Sequence, residues 1–171
     1  TSKPLAGARI LEGIQIEEIF TTELVLEGVL DHLTPPQMFG ALCALSVDIT
    51  RAARASRPRG ELATVGKALR KIRLSRVVRE AAEEQGQQVT FCPEMIPIGV
   101  AWYEGKPLVE LADELDAAAD CTGLLVNGFR RAKDLASQLR RVYERGEDEV
   151  MVDRLRQVMT TVSRDEVQVV G

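Results

Sequence analysis

Asn127, Arg130, Arg131 and Lys133 are the residues of this chain whose types and spacing offer a defined chemistry. Their segment, 123–143, reads as one helix. Leu124, Phe129, Leu135 and Leu139 can be buried on it, while Asn127, Arg130, Arg131, Lys133 and Asp134 fall on the wetter side. Arg130 and Lys133 stand three residues apart, which makes them neighbours on a helix surface and lets both face one phosphate backbone. Each phosphate neutralised in this way releases counterions, so binding would depend steeply on salt. The alternative is structural: these arginines pair with acidic segments or with neighbouring domains, Arg131 with its side chain turned inward.

Other chemistries fail on residue type or spacing. A nucleotide-hydrolysing core needs a phosphate loop ending in Gly-Lys-Ser/Thr, because backbone amides and the lysine cradle the phosphates. Gly66-Lys67 is followed by Ala68, lies within a helical pattern and lacks the preceding glycine. His32 is the single histidine, which removes His-rich metal sites and paired-His catalysis and leaves a cap or surface group. Glu17-Glu18 and Glu83-Glu84 are adjacent carboxylates, but helix neighbours point about 100° apart and form no acid/base pair. Catalytic, cofactor and metal sites are therefore not expected in this chain. Trp102 has two readings, a ligand-stacking ring or an anchor packing the helix around it against a bundle.

The elements that must position these side chains follow from pattern. Thr34-Pro35-Pro36-Gln37 combines an N-cap, prolines suited to a first turn and a capping-box glutamine. Met38, Phe39, Leu42, Cys43, Leu45, Ser46 and Ile49 then recur at helical spacing, predicting a helix to about Ala55. Ser56 to Gly60 breaks it. A long helix is predicted from about Glu61 to Gln85, ended by Gly86. Further helices are predicted from Pro93 to Gly105, from Pro107 through Leu115, from Gly123 to about Tyr143 with Thr122 as N-cap, and from about Glu149. Ala8 to Leu33 reads as two short helices or a helix and a turn, and Val167 to Val170 as extended. The expected fold is all-α, a single-domain bundle of six to eight helices over residues 1–171.

Composition agrees. Hydrophobic residues make up 45% and aromatic residues 4%, so the core is aliphatic. A chain of 171 residues buries roughly two-thirds of its unfolded surface and needs no metal or disulfide to fold. The net charge of −4 argues against a protein that coats nucleic acid over its whole surface. Its distribution is uneven: residues 51–79 hold ten basic side chains and one acid, Glu61, and 121–145 hold six and two. One cationic face, or simply solvated helix surfaces, would account for this. Cys43, Cys92 and Cys121 lack paired metal-type spacing and fit a reducing cytoplasm, with Cys43 as a small buried hydrophobe. No membrane span or signal peptide is expected, and Thr1 in place of Met suggests a piece of a larger protein.

Several ordered segments carry a resemblance. Thr22-Glu23-Leu24-Val25-Leu26-Glu27-Gly28-Val29-Leu30, Leu33-Thr34-Pro35 and Ala41-Leu42-Cys43-Ala44-Leu45 resemble the opening of the DSHCT domain. Phe91-Cys92-Pro93-Glu94 with Ala101-Trp102-Tyr103-Glu104-Gly105, Leu108-Val109-Glu110-Leu111, Gly123-Leu124-Leu125-Val126, Phe129 to Leu135 and Val162 to Val170 continue in the family's order. From about Leu11 onward the chain is thus similar to the C-terminal helical domain of superfamily-two helicases of the exosome-associated RNA helicase type. The resemblance implies a bundle packed on two motor domains, which hold the ATP and Mg and hydrolyse ATP. It also implies that the helix from Gly123 to about Leu139 is a ratchet helix along a single strand of RNA or DNA, with Arg130 and Arg131 matching the family's basic pair. Relatives commonly carry Arg where this chain has Asn127, followed here by Gly128. Asn127 can hydrogen-bond a base or sugar but supplies neither charge nor a guanidinium plane.

Two other functions compete on the sequence. A helix-turn-helix regulator built on Pro107–Tyr143 would bind duplex, often as a dimer, although Glu110, Asp113, Glu114, Asp116 and Asp120 would repel phosphates beside its reader helix. A protein-docking bundle would bind no nucleic acid.

Overall fold

In the computed structural model, which describes residues 16–118 and 121–167, the Gln37 amide donates to the Thr34 hydroxyl at 3.4 Å. The Thr34 amide donates to Oε1 of Gln37 at 3.1 Å, which completes the expected capping box. This box opens α2 (Pro35–Ala44), which follows α1 (Ile16–Leu26) and a 3-10 turn at Leu30–His32. Then come α3 (Glu61–Arg73), α4 (Arg76–Gln85), α5 (Met95–Tyr103), α6 (Leu108–Leu115), α7 (Thr122–Arg145), α8 (Glu149–Val162) and a 3-10 turn at Asp165–Val167. The described residues contain eight α-helices and no strand, as the all-α expectation required. Of the expected N-terminal stretch, residues 8–15 lie outside the described residues, as do 168–170 of the extended end; Val167 belongs to a 3-10 turn.

Boundaries differ from expectation where distant groups intervene. The helix predicted to reach Ala55 stops at Ala44, because the Cys92 amide takes the Ala44 carbonyl at 2.7 Å. The Ser46 hydroxyl donates back to Leu42 O at 2.7 Å, and Asp48 accepts from the Thr50 amide at 2.8 Å, holding the next residues in a turn. The helix predicted from Glu61 to Gln85 is broken at Ser75, whose hydroxyl accepts from the Val78 amide and starts α4 afresh. Gly86 ends α4 with φ +64°, as expected of a glycine stop. At α7, Thr122 is the first helical residue and not the cap: the buried Cys121 already accepts from the Leu125 amide at 3.0 Å. Asp148 caps α8 by accepting from the Met151 amide at 3.2 Å.

Every residue of α2 from Met38 to Ala44 is buried, so this helix lies within the bundle, enclosed by α5, α7, α8 and α3. Its closest neighbour is α5. A Cβ on Gly99 would stand 2.8 Å from the Gly40 Cα and 2.9 Å from the Cys43 sulfur, and one on Gly40 would stand 2.7 Å from the Ile96 carbonyl. The two backbones therefore meet with no room for a methyl group. Cys43, Cys92 and Cys121 are buried free thiols; burial pushes the Cys43 thiol well up and the Cys92 thiol up to about 11.

Two outcomes follow from this packing. Gly99→Ala should lower stability in urea by about 1–3 kcal/mol through overpacking, despite alanine's higher helix propensity. Gly123→Ala, where nothing lies within 4 Å of the added methyl, should be neutral or stabilising by up to ~1 kcal/mol. A thiol with a raised folded-state pKa stabilises the fold below its unfolded value and loses that contribution as pH climbs through the folded one. Stability should accordingly fall as pH rises from 9.0, the ordinary value, toward about 11, and Cys92→Ala should flatten that segment of the profile.

Candidate nucleic-acid interface

Leu125, Phe129, Ala132, Ala136, Leu139 and Tyr143 are buried at intervals of three and four residues, which fixes the rotation of α7 about its axis. Gly128 fixes it further: a Cβ there would meet Val47 Cγ1 at 2.6 Å, so the segment after α2 presses directly on the helix backbone. The glycine that looks anomalous beside Asn127 is thus a packing requirement. With this rotation set, Asn127, Arg130, Arg131 and Asp134 are exposed on the outer side, and Lys133 is half-buried at its edge. Arg131 does not turn inward. Arg130 and Arg131 each also interact with another group of the protein, so both combine exposure with a local tether.

Leu124, expected in the core, is 38% exposed. The neighbouring Leu125 takes the core seat, which rotates Leu124 onto the same outer face as Asn127 and Arg131. That face continues beyond the residues singled out from sequence. Steps of four and three lead from Asn127 to Arg131, Asp134, Gln138, Arg141 and Arg145, and both of these last arginines are exposed. Gln138, Arg141 and Arg145 line a groove of about 340 Å³ with Glu18, Thr21 and Thr22 of α1. The repeat of the same spacing was the signal available for Arg141 and Arg145. Arg140 lies off this face, paired with Glu144 at 2.5 Å, and Arg156 reaches the same carboxylate at 3.4 Å.

Around α7 the charge alternates in sign. α6 packs against it and exposes Glu110, Asp113 and Glu114, the last paired with Lys106. α6 thus presents carboxylates, and the outer face of α7 mostly guanidinium groups. Asp134 is the acid within that face. Gly66-Lys67 sits in the middle of α3 with Gly66 buried, and His32 is exposed in its 3-10 turn. Among the described residues no group of His, Cys, Asp or Glu is arranged to hold a metal ion, and no helix is long and apolar enough to cross a membrane.

Trp102 is an anchor. It is fully buried, stacked on Phe129 at 5.0 Å between centroids and covered by the Arg164 guanidinium at 3.4 Å. Its indole N–H donates to the Val162 carbonyl at the end of α8 (3.2 Å), while Arg164 donates to the carbonyls of Trp102 and Lys106 at 2.7 and 2.8 Å. The two helix ends are thus tied together, each side chain adding a second donor to a carbonyl that already accepts from a backbone amide, Gly105 at Trp102 and Arg164 at Val162.

Residues 1–169 match the profile of the DSHCT (NUC185) domain. The chain belongs to the DSHCT family. Over 126 residues, 71% of the chain, this DSHCT domain is 26% identical to the ATP-dependent RNA helicase mtr4 of Schizosaccharomyces pombe, and the match spans 11% of that protein. The chain thus covers about a tenth of its curated relative's length.

Trp102→Phe keeps the stack but removes one of the two donors to the Val162 carbonyl, which retains the Arg164 amide at 3.0 Å, and should cost about 0.5–1.5 kcal/mol in thermal unfolding. A loss of nucleic-acid affinity at unchanged stability would instead make Trp102 a ligand-stacking residue.

Proposed function

We propose that this DSHCT domain is an accessory part of an ATP-driven helicase, and that the outer face of α7 guides single-stranded RNA past the motor domains. The observation that carries this reading is the rotation of α7. It puts Asn127, Arg130 and Arg131 outward in a row that continues to Arg141 and Arg145 over a helix about 36 Å long by its 24 residues. The name of the mtr4 relative supports RNA over DNA as the strand and a motor elsewhere in the protein as the source of movement. In this reading ATP and Mg²⁺ bind the motor domains, and this domain contributes no catalytic group. Arginine side chains neutralise phosphates, while Asn127 donates to or accepts from a base or ribose. The helical bundle supplies rigidity, so that a strand sliding along α7 meets the same row of donors at each step.

Arg130→Ala in the complete helicase should weaken stimulation of ATP hydrolysis by single-stranded RNA. The half-saturating RNA concentration should rise roughly fivefold, which corresponds to on the order of 1 kcal/mol for one exposed charged contact. ATP hydrolysis without RNA should be unchanged. Unaltered stimulation together with an unaltered salt dependence would remove Arg130 from the contact.

A further inference from the structure

The strongest local charge excess in the chain lies away from α7. Residues 51–79 carry ten basic side chains and one acid, in a protein whose net charge is −4. The structure brings part of this excess onto one surface. Pro58 packs at Gly66, 3.7 Å from where its Cβ would be, which lays the Arg57–Arg59 segment alongside the middle of α3. On α3 itself Lys67, Arg70 and Lys71 are exposed and fall within about 100° of one another, next to Gly66. The one acid, Glu61, starts the helix on its other side and accepts from Gln37 Nε2 at 3.3 Å.

None of Arg57, Arg59, Lys67, Arg70 and Lys71 has a carboxylate within ion-pair distance among the described residues. Five exposed cations held close together without counter-charges repel one another, and a polyanion relieves that repulsion. This surface also lacks what base recognition needs. No aromatic side chain of the described residues is exposed, and the nearest ring, Phe91, is half-buried with Arg73 over it at 5.5 Å. Leu74, 57% exposed, and Val77, 42% exposed, are two apolar side chains beside the cations, short of the apolar centre that a protein interface presents.

We infer that the face carrying Arg57, Arg59, Lys67, Arg70 and Lys71 is a second polynucleotide contact, one that holds the phosphate backbone without stacking on or reading bases. It is independent of the role of α7: α3 packs chiefly on α1, α2, α4 and α5, whereas α7 packs chiefly on α1, α2, α6 and α8. A backbone-only contact accepts single strands and duplex alike, so it would keep a polynucleotide near the domain whether or not it had been unwound.

The test is fluorescence anisotropy of the full chain with a mixed-sequence single-stranded RNA and with a DNA duplex, each over a range of KCl concentrations. Lys67→Gln/Arg70→Gln/Lys71→Gln should reduce the slope of log affinity against log salt by about 2 for the single strand. For the duplex the reduction should be nearly 3, at ~0.7 and ~0.9 per phosphate lost. Lys71→Gln alone should give about a third of each change, and Lys67→Arg/Lys71→Arg should leave both slopes intact. Arg130→Ala should affect the single strand only, which separates a failure of the α7 reading from a failure of this one. Unchanged slopes in the triple variant, a change confined to the single strand, or absence of duplex binding by the unaltered chain would each overturn the inference.

Discussion

The contact between Gly40 on α2 and Gly99 on α5 is made by backbone, and much of the bundle's geometry depends on it. Where a Cβ would stand 2.8 Å from the opposite Cα, no side chain can adjust the separation of the two helices, so their approach is set once. Fixing α5 against α2 fixes the position of Trp102 near the end of α5, and Trp102 in turn holds Phe129 of α7 through its ring and Val162 of α8 through its N–H. Arg164 closes the arrangement from the other face of the indole. An aliphatic core tolerates many rearrangements of similar volume. A glycine crossing followed by a stack of two rings and a guanidinium tolerates far fewer, which gives this aliphatic bundle a defined register.

The outer face of α7 inherits its direction from that register. Phe129 sits between the rings of Phe39 and Trp102, with centroids 5.8 and 5.0 Å away, and Gly128 admits Val47. These two neighbours on the helix clamp its rotation, and the opposite side is left to Asn127, Arg131 and Asp134 by periodicity alone. The arginines are exposed because the core has claimed the other side of the helix.

How much of this was legible in the sequence divides by the range of the interactions. Local chemistry was readable: the Thr34–Gln37 capping box, the stop at Gly86 and the all-helical pattern depend on residues a few positions apart. The end of α2 was not, because it depends on the Cys92 amide reaching Ala44, and no spacing rule within 38–55 contains that bond. Ser75 was a readable cap, and the apolar phase breaks with it: at about 100° per residue Val77 and Val78 stand well off the stripe of Leu62, Val65, Leu69 and Ile72. Leu124 and Leu125 were a phase ambiguity between two adjacent leucines, resolved by where Phe129 must go. At the candidate site, Asn127, Arg130 and Arg131 followed from residue type and spacing, while Arg141 and Arg145 lay beyond the stretch in which apolar seats had been assigned. The role of Gly128 required knowing that Val47 comes from a segment some eighty positions earlier.

In the proposed role, the surface as a whole constrains how this domain could hold nucleic acid. Stacking of bases on exposed aromatic rings contributes on the order of 1–3 kcal/mol per base in proteins that grip single strands, and it is tolerant of sequence. Here Phe20, Phe39, Trp102 and Phe129 are fully buried and Phe91 and Tyr103 half-buried, so among the described residues no ring stands exposed for stacking. What remains outside is guanidinium, ammonium and amide chemistry on α7 and α3, bounded by the carboxylates of α6. Contacts of that kind are individually weak, strongly screened by salt and quickly broken and remade. A surface that had to hold a strand in one place would be poorly served by them. A surface along which a strand must move by one nucleotide at a time is well served, because no single contact is deep enough to arrest it.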